Sequence, residues 1–343
     1  ISFPWSVVAG NTAKDNSSSQ YDHIHQIFVT KNAVLCGEVQ MNFRQLSHER
    51  DIVPDRVEQE AENLPSRLQD VDEVLYPLFL TSRQLLLMLD ASIGAPYFFE
   101  RKEDGSLKVD IQGWSDGDGH LSRLPLLDED PDVGKEEAYV ERNDDVGNED
   151  DHDAGAYLSK MDPRREVTYE VFVEELWPQM KTKMKHNFHP SLVWTEIMSF
   201  IKGSFEALSK SCGYLSMEEY IEIGRKRAPN FSGERDKIYE YFTCYDHFKK
   251  QNRLFDETDF VHDIYKRHQN LQVAPWVIHQ VFVDETQDFT QAELYLLIQI
   301  CQNPNQMFLT GDTAQSIMRG ISFRFSDLKS LFFHAQQSVQ GMG

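Results

Sequence analysis

The chain has 343 residues, 40% of them hydrophobic, which is enough for two domains or for one large domain with an inserted subdomain. Its net charge of −22 argues against a protein that coats nucleic acid through a broad basic surface, so any such contact is expected in a local groove. No apolar run approaches the roughly 20 residues that cross a bilayer, and we expect no membrane partner. The four cysteines lack zinc spacing, as expected of reduced thiols in an intracellular protein, nuclear or cytoplasmic.

The N-terminal third begins with a linker and continues as the first part of an α/β lobe. Residues 1–20 are polar and rich in Ser and Asn, which predicts a linker. Because the chain starts with Ile1 rather than methionine, we expect it to be part of a longer protein. Within residues 21–110, short β-prone runs alternate with helical patterns, and Thr81 or Ser82 is predicted to cap a helix from Arg83 to Leu89.

An acidic segment follows, and residues 111–160 are predicted to be a disordered insertion. Between Asp128 and Asp153 there are 13 acidic and 2 basic residues, so half of the net charge of the chain lies in this stretch. Such a composition cannot bury enough apolar surface to offset the entropy lost on ordering. A solvated spacer and a binding segment for protein partners both fit it.

Residues 161–270 are predicted to form a mostly helical subdomain. Apolar side chains recur every three or four residues from Trp194 to Leu208 and again from Ile238 to Phe248. Aromatic stripes of this kind can stack nucleic-acid bases, but they more often form the core between helices.

The pattern changes in residues 271–343, which are predicted to contain a parallel strand–helix–strand unit. The run 281–283 is an apolar strand, Thr290 and Glu293 form a capping box for the next helix, and the run 307–309 is a second strand. A connection of this length joins parallel strands, which is typical of an α/β sheet.

Two motifs that carry chemistry follow these strands. Asp284 and Glu285 come directly after the first one, at the strand end where open α/β sheets bind ligands. The carboxylate of Asp284 is a hard oxygen ligand suited to Mg²⁺, and Glu285 is positioned to orient or deprotonate a water. After the second strand, Gly311 permits a tight turn, and Gln315 can present its amide to a phosphate.

The compound pattern resembles the ATP-binding region of UvrD/Rep-type superfamily 1 helicases. Residues 284–288 resemble their motif II, residues 311–316 resemble motif III, and residues 28–33 resemble motif Ia. Several longer stretches resemble, more specifically, the UvrD-like region of animal TPR and ankyrin repeat-containing proteins. These stretches are 27–39, 81–91, 202–208, 224–231 and 288–331.

The resemblance implies an α/β fold in which a P-loop NTPase (RecA-like) parallel sheet lobe carries an inserted, mostly helical subdomain. It implies that Asp284 coordinates Mg²⁺, that Glu285 is the catalytic base, and that Gln315 is catalytic and senses the γ-phosphate of ATP. Gly311 and Asp312 would belong to the same ATP site. On the nucleic-acid side it implies contacts from three residues at the end of the first strand, Thr30, Lys31 and Asn32. An ordinary surface lysine explains Lys31 equally well.

The chain departs from the family in two respects: the phosphate loop is not found, and the motifs of the second motor lobe with its arginine finger are expected beyond the end of this sequence. No G-x-x-x-x-G-K-[ST] sequence, the loop that cradles phosphates, occurs in its 343 residues. We therefore expect Mg-ATP hydrolysis, coupled to a single-stranded nucleic acid (DNA favoured over RNA), only in a longer parent protein. The alternative is a helicase-fold scaffold for protein interaction that has lost hydrolysis.

Overall fold

A computed structural model describes residues 23–48, 64–112, 114, 161–227, 234–312 and 325–340. The predicted linker, the most acidic part of the insertion and Gln315 lie outside the described residues. In the described part of the chain, no helix is both long and apolar enough to cross a membrane.

The strands form two parallel sheets. In chain order they are β1 (Gln26–Thr30), β2 (Leu78–Thr81), β3 (Asp110–Gln112), β4 (Met161–Glu166), β5 (Leu254–Phe255), β6 (Gln280–Val283) and β7 (Met307–Leu309). The main sheet has the order β2-β1-β6-β7, and the small sheet has the order β3-β4-β5. All pairings are parallel, and the predicted neighbours β6 and β7 are paired directly, which confirms the strand–helix–strand prediction.

The helices begin with α1 (Ala33–His48) and α2 (Ser82–Ile93). Two helices then have a π-helical part: α3 runs through Tyr169–Val171, Phe172–Leu176 and Trp177–Lys183, and α4 through Pro190–Thr195 and Glu196–Ile201. The others are α5 (Phe205–Leu208), α6 (Met217–Arg227), α7 (Arg235–Gln251), α8 (Glu257–Gln269), α9 (Gln291–Ile300) and α10 (Phe325–Gln340).

The helix starts follow the sequence closely. Thr81 caps α2 in a reciprocal capping box with Gln84, and Thr290 caps α9 in the same way with Glu293, so both predicted caps are confirmed. Such caps are local because the side chain bonds a backbone N–H only three residues away.

Apolar residues form two separate main cores. The first lies between the main sheet and α2, α8 and α9, and the second lies within α3, α4, α6 and α7. The aromatic stripes at Trp194 and Ile238 are buried in the second core, as expected of helix-core residues. Helix α8 packs in the first core through Phe260 and Ile264, although the sequence assigns it to the helical subdomain. Residues 111 and 112 likewise belong to β3 and not to an insertion.

Candidate functional site

The carboxyl ends of the four main-sheet strands meet at one edge, because the strands are parallel. Each strand end is followed by polar side chains. These are Lys31 after β1, Ser82 after β2, Asp284 and Glu285 after β6, and Thr310 after β7. The edge therefore collects the residues of the sequence motifs, and its contacts define what the site can bind.

Asp284 is fixed between the two neighbouring strands. Its N–H donates to the carbonyl oxygen of Val29 at 3.0 Å, which continues the β1–β6 ladder by one residue. Its carboxylate oxygen Oδ1 accepts hydrogen bonds from the backbone N–H of Glu285, at 3.0 Å, and from the hydroxyl of Thr310. Within the described part of the chain, the second oxygen, Oδ2, accepts no hydrogen bond. It is therefore available to a cation or a water.

Glu285 has an unusual backbone conformation. Its φ of 51° lies in the left-handed region, which costs a non-glycine residue roughly 1–2 kcal/mol. Conformations of this kind cluster at functional sites, where the surrounding structure holds them in place. Here the side-chain amide of Gln287 donates to Glu285 Oε2 and fixes the carboxylate.

Gln287 also joins the two motifs. Its side chain is buried, and its Oε1 accepts the backbone N–H of Asp312 at 3.0 Å. The backbone N–H and the hydroxyl of Thr286 both donate to the carbonyl oxygen of Thr310, at 2.9 Å and 2.6 Å. Together with the bond from the Thr310 hydroxyl to Asp284, four hydrogen bonds thus connect the chain after β6 and the chain after β7.

Gly311 is required by this close approach. A Cβ at this position would collide with Gln287 Oε1 and lie 3.1 Å from the backbone nitrogen of Thr286. A larger residue would therefore displace the Gln287 amide that joins the two strand ends.

The three residues after β1 differ in their exposure. Thr30 is fully buried, and its Oγ1 accepts the N–H of Asn32 at 3.3 Å. Asn32 is exposed, and its side-chain oxygen accepts the N–H of Leu35 at 3.1 Å, where α1 begins. In this conformation only Asn32 presents an open surface to a nucleic acid.

Lys31 is not an ordinary surface lysine, because its side chain is only 9% exposed. Its Nζ forms an ion pair with Glu257 at 2.7 Å and a second one with Glu293. The ammonium also lies 5.2 Å from the centre of the Phe289 ring. Burial alone would lower the pKa of Lys31, but the two carboxylates outweigh it and hold the pKa above its usual value. Lys31 is therefore charged and committed to internal partners.

We expect the substitution Lys31→Met to lower the free energy of unfolding by about 3 kcal/mol, since it leaves two carboxylates without their cation. Urea denaturation measures this loss. The loss should shrink as the pH falls, because burial raises the pKa of both glutamates once Lys31 no longer opposes it, so the variant takes up protons that neutralise them. Lys226→Met is the matched control, since Lys226 pairs with Glu222 on an exposed helix face. An unfolding free energy equal to that of the control would contradict the structural role of Lys31.

A cleft of about 450 Å³ lies between this edge and the helical subdomain. Arg83 stands in its wall, paired with Glu166 at 2.7 Å and stacked 4.4 Å from the centre of the Trp114 ring. The helical subdomain contributes apolar and aromatic side chains, namely Tyr169, Trp194 and Met198. The cleft therefore combines a cation with ring faces, which is a combination that suits nucleotides or bases.

The start of α8 connects the two sides of this cleft. Asp256, which caps the helix and is 1% exposed, accepts hydrogen bonds from the ammonium groups of Lys202 and Lys249 and from the hydroxyl of Tyr245. The two lysines also pair with Asp259. The next residue, Glu257, pairs with Lys31 at the end of β1. The first turn of α8 therefore binds both Lys31, next to the main sheet, and Lys249, on α7.

No group of three or more His, Cys, Asp or Glu side chains in the described ranges is arranged to hold a metal ion by itself. A cation at this edge would thus rely on Asp284 and on oxygens of a ligand or water, as Mg²⁺ does when it is bound through nucleotide phosphates.

The sequence model of the UvrD/REP helicase N-terminal domain matches residues 137–337, which is more than half of the chain. The chain belongs to the UvrD/REP helicase N-terminal domain family. Human TPR and ankyrin repeat-containing protein 1 is 49% identical over 327 residues, an alignment that covers 93% of this chain and 10% of that protein. The chain thus spans about a tenth of the length of this relative. Both resemblances inferred from the sequence are confirmed.

Several residues of this UvrD/REP-type domain were not singled out by sequence reasoning. Gln287 belongs to motif II and Thr310 directly precedes motif III, but the sequence alone does not reveal that they connect two strand ends. Glu257 and Arg83 look like ordinary charged residues of helix starts, and only their neighbours in space give them a role. The structure brings together Asp284, Glu285, Gly311 and Asp312, whereas Gln315 lies outside the described residues.

Proposed function

We propose that the parent protein hydrolyses Mg-ATP and couples hydrolysis to a single-stranded nucleic acid, and that this chain supplies part of its RecA-like lobe. The observation that carries the proposal is the contact between the ends of β6 and β7. There an Asp-Glu pair and a glycine turn are joined through Gln287 and Thr310. Two parallel strands that end side by side with such groups form the usual ligand position of an open α/β sheet.

Asp284 is the proposed magnesium ligand. Its Oδ2 is open, whereas Oδ1 is held by Thr310 and by the backbone, so the carboxylate is oriented before a cation arrives. A hard oxygen donor of this kind fits Mg²⁺. When bound, the ion would neutralise charge on the phosphate oxygens.

Glu285 is the proposed general base, because its carboxylate follows Asp284 and is oriented by Gln287. In this role it accepts the proton of the water that attacks the γ-phosphate. Gly311 and Asp312 are proposed to border the nucleotide, and Gln315 is proposed as the residue that senses the γ-phosphate. The required phosphate cradle would come from the parent protein.

The nucleic-acid strand is proposed to run through the cleft next to Lys31, with single-stranded DNA favoured over RNA. Arg83 offers a charge, and the partly exposed Tyr169 offers a ring face, on which bases stack with little sequence preference. Asn32 is the proposed direct contact from the β1 end. Thr30 and Lys31 are proposed to act indirectly, by shaping that end. Protein partners of the acidic segment remain a separate proposal.

The test is ATP turnover by the full-length parent protein, with and without an oligodeoxythymidylate. We expect turnover that the oligonucleotide stimulates and that Tyr169→Ala makes less sensitive to it, since one stacking platform worth about 1–3 kcal/mol is lost. A parent that binds nucleotide but hydrolyses none, with or without the strand, would instead be a helicase-fold scaffold.

A further inference from the structure

A second cleft, of about 690 Å³, lies at the other end of the small sheet. Asp162 and Arg164, near the start of β4, and Arg253, just before β5, line it. The Lys31 cleft is instead bordered by Glu166 and Asp256, which lie at the carboxyl ends of the same two strands. The lining residues of the two clefts are thus two to four residues apart along β4 and three apart across β5, roughly 7–13 Å.

This second cleft is basic in an acidic chain. Two carboxylates line it, whereas the net charge of the whole chain is −22. Six cationic side chains line it: Arg101, Lys108, Arg164, Lys249, Lys250 and Arg253. Three of the six are paired with buried carboxylates, since Arg101 pairs with Asp90, Arg164 with Asp162 and Lys249 with Asp256. The others decide what the cleft attracts.

The remaining three cations, Lys108, Lys250 and Arg253, are exposed and easily redirected. The first two form ion pairs with Glu100 and Asp246, in which the lysine side chains are 61% and 66% exposed. Surface pairs of this kind contribute little, so both ammonium groups can turn towards an incoming anion at small cost. Arg253 has no ion-pair partner anywhere in the described part of the chain.

Arg253 also occupies a costly backbone position. Its φ is 53°, and it follows Asn252 at the end of α7, where glycine is the usual residue. A cation at this position interacts favourably with the C-terminus of α7, but Lys249 and Lys250 in the last turn already provide this interaction. The helix C-terminus therefore does not explain why residue 253 is an arginine. An arginine at a position that favours glycine suggests that its side chain is needed in the cleft.

The same cleft offers aromatic surface. Tyr97 and Phe98 line it, and the Arg164 guanidinium lies 4.7 Å from the centre of the Phe98 ring. Cations can bind the phosphates of a nucleic-acid strand while the ring faces stack with its bases. An acidic peptide would offer carboxylates to the cations but no bases to the rings.

We infer that this cleft binds the phosphate backbone of a single-stranded nucleic acid as a second contact point, away from the Lys31 cleft. The inference rests on the proposed function for the nature of the ligand, but it concerns residues that take no part in ATP chemistry.

Binding of a labelled oligodeoxythymidylate to the 343-residue chain, followed by fluorescence anisotropy over a range of salt concentrations, tests this inference. Arg253→Gly removes the cation and at the same time relieves the backbone, so the variant should fold at least as well as the parent chain. We expect it to weaken binding several-fold. Combining it with Lys108→Glu and Lys250→Glu should weaken binding at least about tenfold and reduce the slope of log K against log salt by about 2, because three phosphate contacts are lost.

Lys226→Glu is the matched control, since Lys226 forms an exposed i,i+4 pair like that of Lys250 but lies on α6, away from the cleft. A triple variant with the affinity and salt slope of this control would overturn the inference. If Tyr169→Ala weakened binding in the same assay while the triple variant did not, the proposed strand path would stand without the second contact. Displacement of the oligonucleotide by polyglutamate at equal charge concentration would overturn the inference in favour of an acidic protein partner. If the unmodified chain did not bind the oligonucleotide at all, the inference would also be overturned.

Discussion

Replacing Glu285 by glutamine in the full-length parent protein should lower ATP turnover by about 10²–10⁴-fold and leave nucleotide affinity nearly unchanged. The amide has the same size and can still accept the hydrogen bond that Gln287 donates, so the strand end keeps its contacts. Only the ability to accept a proton from the attacking water is lost. Steady-state turnover, together with binding of a fluorescent ATP analogue, separates these two effects.

The control for this change is Glu218→Gln, which alters an exposed carboxylate on α6 and should not change turnover. Wild-type turnover in the Glu285 variant would show that another group is the base. A variant that no longer binds nucleotide would assign Glu285 to binding instead.

Replacing Asp256 by asparagine should lower the free energy of unfolding of this chain by about 3–5 kcal/mol. The carboxylate is almost completely buried and holds the ammonium groups of Lys202 and Lys249, which would be left with Asp259 alone. Removing one member of a buried ion cluster costs more than the cluster contributes, because the remaining charges stay out of water. Urea denaturation at pH 7 measures the loss.

The pH dependence gives a second test of the same cluster. Burial by itself would raise the pKa of Asp256, but the two lysines outweigh it and hold the pKa well below its usual value. The unfolded chain then takes up this proton more readily than the folded chain, so the stabilisation is complete above about pH 4 and is lost as the pH falls further. The asparagine variant should lack this part of the acid sensitivity.

Asp246→Asn is the matched control. Asp246 pairs with the exposed Lys250 on α7, the helix that also carries Lys249, so this substitution should change the free energy of unfolding by less than about 1 kcal/mol. Equal stability of the two variants, or equal acid sensitivity of the Asp256 variant and the parent chain, would contradict the role of the cluster.

Lys31 shows where the sequence ceases to be informative. Its position after a β-strand and its motif favour a nucleic-acid contact or a solvent-exposed lysine. The structure instead gives it two glutamate partners that lie 226 and 262 residues away along the chain. No periodicity or local spacing relates residues so far apart, because their contact depends on how the strands and helices are arranged in space.

Helix α8 illustrates the same limit for domain boundaries. Its amphipathic pattern predicts a helix correctly, but a pattern does not say against which core the apolar face packs. Phe260 and Ile264 join the core of the main sheet, whereas the sequence grouped this helix with the helices that precede it.

The sequence by itself determined the strands around Val281 and Phe308, the caps at Thr81 and Thr290, and the family to which the chain belongs. These features depend on hydrogen bonds and apolar periodicity within a few residues, which the order of amino acids specifies directly. Only the tertiary structure decided that Gln287 joins the two motifs, that Lys31 is buried between carboxylates, and that cations gather at Arg253. Those features are contacts between segments that are distant in the sequence. The local charge and shape at such contacts are defined only after the sheet and its helices have packed.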